Sequence, residues 1–408
     1  MAADDELWFD FVSAESYLAF RRADLEPPAS RPKPCPVSLR GLFEATGTSG
    51  LPFTAPAPPA KARYLELAQA RAAAIEGVAL TAPLGHPLDT SLALRVALVG
   101  HDAWPVARAL FDAYWLGRAL DQPQVIARVL DEGGFDGHAL LEAAQRERNA
   151  NELAARTSAA VETGLFDLPT TIHRREGRHE LAVGFTPAPQ PNLRSGGAAK
   201  SVLFAATKAI DFYFDYASPF AYLAATQLPR VIAHTGAEVT LRPLLLGGLF
   251  RSLGTANVPL FAMSDAKRQY QLQHLTRAAA EWQVPFRFAT RFPMNTVKAL
   301  RLTTLAPPER QLELALAIFT AFWADDRDIS SDEVLLDVVE KTGVDQALLG
   351  KLDDSATKQR LREATDAASA LGIFGVPTII YGSQPFWGQD NIELVARLLG
   401  AATNATAR

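Results

Sequence analysis

The chain has 408 residues, 48% of them hydrophobic and 21% charged, with a net charge of -5. That composition is ordinary for a globular protein, and the length exceeds one ordinary core, so two domains of about 200 residues are expected. No basic run offers nucleic acid an electrostatic footprint, no stretch approaches the roughly 20 apolar residues of a membrane helix, and the single cysteine, Cys35 in a proline-rich loop, excludes an internal disulfide or a CxxC redox pair.

The acidic start, Met1 to Glu6, runs straight into a strand-like segment, which fits neither a signal nor a transit peptide and leads to the expectation of a cytoplasmic protein. That segment, Leu7-Trp-Phe-Asp-Phe-Val-Ser13-Ala-Glu-Ser-Tyr17, is written a second time as Asp211-Phe-Tyr-Phe-Asp-Tyr-Ala-Ser218-Pro-Phe-Ala-Tyr222. Four further matches follow in the same order. Gly41-Leu-Phe pairs with Gly248-Leu-Phe, and Lys61-Ala-Arg-Tyr64 with Lys267-Arg-Gln-Tyr270. Pro87-Leu-Asp-Thr90 pairs with Pro293-Met-Asn-Thr296, and Gly164-Leu-Phe-Asp-Leu-Pro169 with Gly372-Ile-Phe-Gly-Val-Pro377. Collinear matches of this kind mean one fold encoded twice. The seam is the aperiodic Pro-, Gly- and Ala-rich stretch after Thr186. The boundaries follow: residues 1–186 form a degenerate first domain, 187–207 a linker, and 208–402 a second domain.

In the second domain Ile210, Phe212, Phe214 and Tyr216 alternate with polar neighbours, the period of a strand. Ser218-Pro219 then opens a helix, with serine as N-cap and proline at the first helical position. The helix is predicted to run toward His234, kinked at Pro229, and to stop at Gly236. A strand at Val239–Leu244 completes a βαβ unit. From Ser264 to Leu371 the apolar spacing is helical, as in Leu314, Ile318 and Phe322. Val376–Tyr381 returns to strand, Gly382-Ser383-Gln384 turns, Pro385–Trp387 pairs back, and a last helix begins at Asp390. The predicted class is α/β, with tandem thioredoxin-like domains that each carry a large helical insertion. Trp323 and Tyr222 read as core, and Asn295-Thr296 as a helix cap.

Phe214-Asp-Tyr-Ala-Ser218-Pro219-Phe220, Gly254-Thr-Ala-Asn257-Val-Pro, Phe292-Pro-Met-Asn-Thr296, Phe374-Gly-Val-Pro377-Thr and Phe386-Trp-Gly-Gln-Asp390 together carry a resemblance. The second domain resembles the 2-hydroxychromene-2-carboxylate isomerases and kappa-class glutathione transferases, relatives of the DsbA disulfide oxidoreductases. The resemblance implies glutathione as cofactor or co-substrate and a small aromatic compound as partner; no metal is expected. It places Ser218 where the redox relatives have their attacking cysteine, its hydroxyl donating to the glutathione sulfur. A free thiol titrates near 8.5, and lowering that by about two units takes roughly 3 kcal/mol, within reach of a hydroxyl donor acting with a helix N-terminus. Pro219 and Phe220 would flank the site.

The resemblance further implies that the Val376–Pro377 bond is cis and that the Val376 backbone holds the cysteinyl part of glutathione as an added strand would. Gln389 and Asp390 would hold the γ-glutamyl carboxylate and ammonium, and Asn257 and Lys267 further polar groups of the ligand. Taken from the residues alone, Ser218 is an N-cap, Asp390 a first-turn acid, Asn257 a turn residue and Lys267 a solvated helix residue. In the isomerases the thiolate adds reversibly to a conjugated carbon, permits rotation, and is released. A kappa-like transferase or peroxidase is the second reading, and a non-catalytic thioredoxin-fold binding protein the third.

The first copy keeps Ser13, but Ala14 and Glu15 replace the proline and phenylalanine, Gly50 stands at the Asn257 position, and no Gln-Asp pair follows His173; the chain is expected to run through Arg174-Arg-Glu-Gly177 toward the linker, without the last helix. Its expected role is structural, pairing with the second copy as an internal pseudo-dimer in a family whose members commonly form dimers. A homodimer is the alternative arrangement.

Overall fold

The computed structural model describes residues 5–56, 58–100, 103–175, 178–187 and 207–406. The predicted linker, apart from its two end residues, lies outside these. Two compact units are present: the first comprises Met1–Pro56, Glu66–Gln190 and Met263–Tyr270, the second Ala57–Leu65, Pro191–Ala262 and Gln271–Arg408. Each unit thus contains one short segment that belongs to the other sequence copy.

The first unit is built on strands β1 (Glu6–Phe9), β2 (Lys33–Pro36), β3 (Thr170–Arg175) and β4 (Arg178–Val183), in the order β2-β1-β3-β4. β1 runs parallel to β2 and antiparallel to β3, and β3 antiparallel to β4. Its helices are α1 (Ala14–Ala23), α2 (Leu39–Thr46), α3 (Pro59–Glu76), α4 (Ser91–Val99), α5 (Ala103–Trp115), α6 (Pro123–Glu132), α7 (Gly137–Gln145) and α8 (Glu147–Glu162); the start of α3 counts with the second unit. Phe9, Phe11, Phe20 and Phe111 are fully buried and meet edge to face or tilted, with ring centroids as close as 4.7 Å. Cys35 is not in a loop as expected: it lies in β2, opposite Trp8. β2 is an edge strand, where the missing N–H groups of Pro34 and Pro36 cost the ladder little. Burial pushes the Cys35 thiol up to about 11, so it stays protonated near neutrality.

The second unit repeats the plan with β5 (Ala209–Phe214), β6 (Glu238–Pro243), β7 (Thr378–Tyr381) and β8 (Gln384–Trp387), ordered β6-β5-β7-β8 with the same senses of pairing. Helix α9 (Pro219–Thr235) follows β5, contains Pro229, and ends at Gly236 in the left-handed region, φ 67°. Then come α10 (Leu246–Ser252), α11 (Asp265–Glu281), α12 (Val297–Leu305), α13 (Pro308–Trp323), α14 (Asp332–Thr342), α15 (Ser355–Ala370) and, after β8, α16 (Asn391–Thr406). The first turn and a half of α11 counts with the first unit. Phe212, Phe214, Tyr216, Tyr222 and Phe319 form the aromatic centre beside the sheet. Trp323, fully buried, donates its indole N–H to the Tyr216 carbonyl at 2.8 Å, and Tyr222 its hydroxyl to the Pro285 carbonyl at 2.7 Å. The element sequence follows the predicted one closely. No helix among the described residues is long and apolar enough to cross a membrane.

Candidate functional site

In the second unit β5 delivers Asp215 and the turn that follows it to the N-terminus of α9. Ser218 caps that helix: its hydroxyl accepts the Ala221 N–H at 3.1 Å and donates to the Val376 carbonyl at 3.2 Å. Only 5% of the residue is exposed. The Val376–Pro377 bond is cis, and its strand β7 pairs with β5, which is what brings positions so distant in sequence together. The serine is therefore both the N-cap that its sequence context suggests and the neighbour of the 376–377 peptide that the resemblance implies. Accepting from Ala221 draws electron density out of the O–H bond and makes the hydroxyl a better donor. Its single proton serves one acceptor at a time, so a ligand atom at this place competes with the Val376 carbonyl for it.

Pro219 is buried and Phe220 half-buried on the first turn of α9. Gly388, φ 98°, follows β8 and donates its N–H to the Pro377 carbonyl at 2.9 Å. This places Gln389, 3% exposed, and the exposed Asp390 just beyond the cis-proline loop. Their side chains converge on His274 of α11: its Nε2 lies 2.8 Å from Gln389 Nε2 and 3.1 Å from Asp390 Oδ1. Asn257 is exposed, and its Oδ1 would stand 3.2 Å from a Cβ on Gly247, at the start of α10. Lys267 belongs to the first unit, where its ammonium offsets part of the rise that burial imposes on the Asp167 carboxyl.

Two features had little sequence signal. Asp215 is buried at the end of β5 and accepts from the Ala217 N–H at 3.0 Å, the Leu246 N–H at 2.7 Å and the Thr296 hydroxyl at 2.7 Å. Burial raises its pKa. Thr296 does stand at the N-cap position of α12, but its hydroxyl is spent on Asp215 and not on the helix. The same tie recurs in the first unit, where Asp10 accepts from Val12, Leu39 and Thr90 and burial raises its carboxyl to about 6. The recurrence of Asp10 and Asp215 in the two copies, with Thr90 and Thr296, was the only available hint. His274 had none.

The first unit keeps the frame of the site and changes its contents. Ser13 caps α1, accepting from Ser16 and donating to the Leu168 carbonyl at 3.3 Å, beside the cis Leu168–Pro169 bond. The chain does not run from Arg174 directly toward the linker; it turns back as β4, and Gly184, φ 90°, donates to the Pro169 carbonyl at 2.8 Å. Phe185 and Thr186 therefore stand where Gln389 and Asp390 do. Glu15, on the first turn of α1, accepts from the Phe185 backbone; burial, and next the Asp167 charge, push it up to about 7. Whether a last helix follows lies outside the described residues.

Residues 6–191 and 209–400 each match the DSBA-like thioredoxin domain. Glutathione S-transferase kappa 1 of Rattus norvegicus is 31% identical over 211 residues, 48% of this chain and 92% of that protein. The 2-hydroxychromene-2-carboxylate isomerase of Sphingobium xenophagum is 28% identical over 200 residues, 47% of this chain and 98% of that protein. A solved structure of a 2-hydroxychromene-2-carboxylate isomerase superimposes with a TM-score of 0.46 at 25% identity, over 49% of this chain and 98% of that one. The chain belongs to the DSBA-like thioredoxin domain family and carries that domain twice.

Proposed function

We propose that the second unit is a glutathione-dependent isomerase of the 2-hydroxychromene-2-carboxylate type, working on a small aromatic compound with a conjugated side chain. The observation that carries this reading is the Ser218 hydroxyl, held at a helix N-terminus and 3.2 Å from the Val376 carbonyl. A glutathione sulfur lying against that peptide takes over the hydroxyl proton from Val376 as its hydrogen-bond donor. The donor and the end of α9 then favour the thiolate over the thiol. The thiolate forms a C–S bond to the conjugated carbon, and the displaced electron pair moves onto the substrate carbonyl as an enolate. The former double bond rotates as a single bond. The enolate pair then returns, the C–S bond breaks, and glutathione leaves unchanged, so nothing is consumed.

Val376 and Pro377 line the cysteinyl part, with Pro219 and Phe220 beside it. Gln389 and Asp390, oriented by His274, meet the γ-glutamyl end, and Asn257 lies on the same unit. The 31% identity to a kappa glutathione transferase favours conjugation as the second reading, in which the same thiolate is not released from its adduct. The first unit is read as not binding glutathione. Glu15 already occupies the Phe185 backbone donor, and the Glu15 and Asp167 carboxyls would oppose both a thiolate and a ligand carboxylate.

A spectrophotometric assay with a 2-hydroxychromene-2-carboxylate, with and without glutathione, run beside chloro-dinitrobenzene conjugation, tests the reading. Isomerisation that needs glutathione in catalytic amounts supports it; conjugation alone favours the second reading. Ser218→Ala is expected to retain most glutathione affinity and lose the ultraviolet absorbance of the bound thiolate, with turnover down about 100-fold. Unchanged thiolate absorbance would remove Ser218 from the mechanism.

A further inference from the structure

The second unit includes residues 57–65, which the first sequence copy encodes and which begin α3. Tyr64 lies there, 7% exposed. Its hydroxyl accepts the Trp387 N–H at 3.0 Å and lies 3.4 Å from the Trp387 carbonyl, to which it donates. Its ring centroid is 5.5 Å from Phe374 and 6.0 Å from Trp387. Phe374 leads into Gly375-Val376-Pro377, and Trp387 into Gly388-Gln389-Asp390. One side chain therefore holds both loops of the candidate site. Chemistry explains the residue type. Trp387 ends β8, which is an edge strand among the described residues, so its outward backbone groups face away from the sheet. A phenol both donates and accepts: it gives the Trp387 N–H its acceptor, and adds a longer bond to a carbonyl that also accepts from Asn391 Nδ2 at 2.7 Å. One turn earlier, Lys61 holds its ammonium 5.6 Å from the Trp387 ring centroid, a positive charge at the same loop.

On the glutathione reading of the site, we propose that the start of α3 completes it: Tyr64 is a positioning residue for both loops, and Lys61 supplies the cation for a ligand carboxylate. That cation was expected from Lys267, its counterpart in the repeat. The repeat also supplies a control. In the first unit Tyr270, 8% exposed, accepts the Val183 N–H at 3.0 Å, and its ring centroid lies 5.5 Å from Phe166. The accepting half of the clamp and the ring contact recur, but the loop beyond Val183 carries Phe185 and Thr186. The first copy is retained, on this account, because its helix finishes the site of the second.

The test uses the full chain and its Tyr64→Phe, Tyr270→Phe and Lys61→Gln variants, with glutathione affinity from calorimetry and backbone amide exchange without ligand. Tyr64→Phe is expected to weaken glutathione binding about five- to tenfold and to speed exchange at Trp387. Tyr270→Phe, which loses the equivalent bond, is expected to leave glutathione affinity unchanged, and Lys61→Gln to weaken it with Trp387 exchange unaltered. Wild-type affinity in Tyr64→Phe, or an equal loss in Tyr270→Phe, overturns the positioning role. Unaltered exchange at Trp387 in Tyr64→Phe overturns the clamp whatever glutathione does. A wild-type chain that binds no glutathione overturns the reading on which the site rests, and with it the role given to Lys61.

Discussion

At the scale of single residues, the two copies diverge sharply two residues past the capping serine, where Phe220 answers to Glu15. A carboxyl there sits among buried groups and next to the Asp167 charge, and the fold raises its pKa from 4.5 to about 7. An acid whose folded pKa lies above its unfolded value is an ion the fold disfavours. Above pH 7 the charge is present in both states and the folded state bears the cost. As pH falls from 7 toward 4.5 the folded state takes up the proton first and gains stability relative to the unfolded chain, and below 4.5 no further change comes from this group. Glu15→Gln, a permanent neutral mimic, is therefore expected to raise the melting temperature at pH 8 and to match the wild type near pH 4.5. Melting curves across that range check it; a variant that melts lower than wild type at pH 8 would show that the charge is held by a partner and not merely tolerated. Glu15 was legible in the sequence as a carboxylate beside the serine. Its acceptance from Phe185 was not, because that partner lies across the sheet on the far side of the helical insertion.

At the scale of elements, what could be read ahead were periodicities and local punctuation. Alternation placed β5 within two residues, Ser218-Pro219 and Gly236 bracketed α9, and Gly382-Ser383-Gln384 marked the turn between β7 and β8, its last residue already in β8. What escaped were ties between elements. Asp215 reads as an ordinary polar position in a strand, and nothing local announces that Leu246 and Thr296 will donate to it; β4 was missed because the charged Arg174–His179 run masks a hairpin. Glycine at 375 belongs to the same class of hidden constraint. A Cβ at Gly375 would come within 2.9 Å of Trp387 Nε1, so the cis-proline loop and the end of β8 touch through the space that the missing side chain leaves. The indole is itself fixed against Phe374, with ring centroids 4.9 Å apart, and cannot swing away cheaply. Gly375→Ala is expected to cost about 1–3 kcal/mol of stability by overpacking and to displace the Val376 backbone, weakening glutathione binding more than an exposed substitution such as Gly350→Ala. Chemical denaturation and ligand titration of the two variants measure both effects, and equal behaviour of the pair would sink the argument.

At the scale of the whole molecule, the repeat does more than duplicate a fold, because α3 and α11 are each divided between the units. Residues 59–65 amount to about two turns of helix, well short of the 12–15 residues that hold helical structure alone in water. They keep their shape in the second unit because they continue into residues 66–76, which the first unit buries through Ala72, Ala73 and Ile75. Residues 265–270 stand in the same relation to 271–281, where Leu275, Ala278 and Ala279 are buried. Melting the first unit would thus release the helix that carries Tyr64 and loosen the loops around Ser218, while melting the second would release Tyr270. Two domains joined only by a linker would unfold in separate steps; helices shared in both directions make the steps interdependent. Scanning calorimetry of the full chain is expected to give one endotherm, and glutathione, which on the present reading binds only the second unit, is expected to move that whole endotherm upward. Two resolved transitions, with glutathione shifting one and leaving the other in place, would mean that the divided helices do not transmit stability, and that the first copy is an appended domain and not a working part of the second.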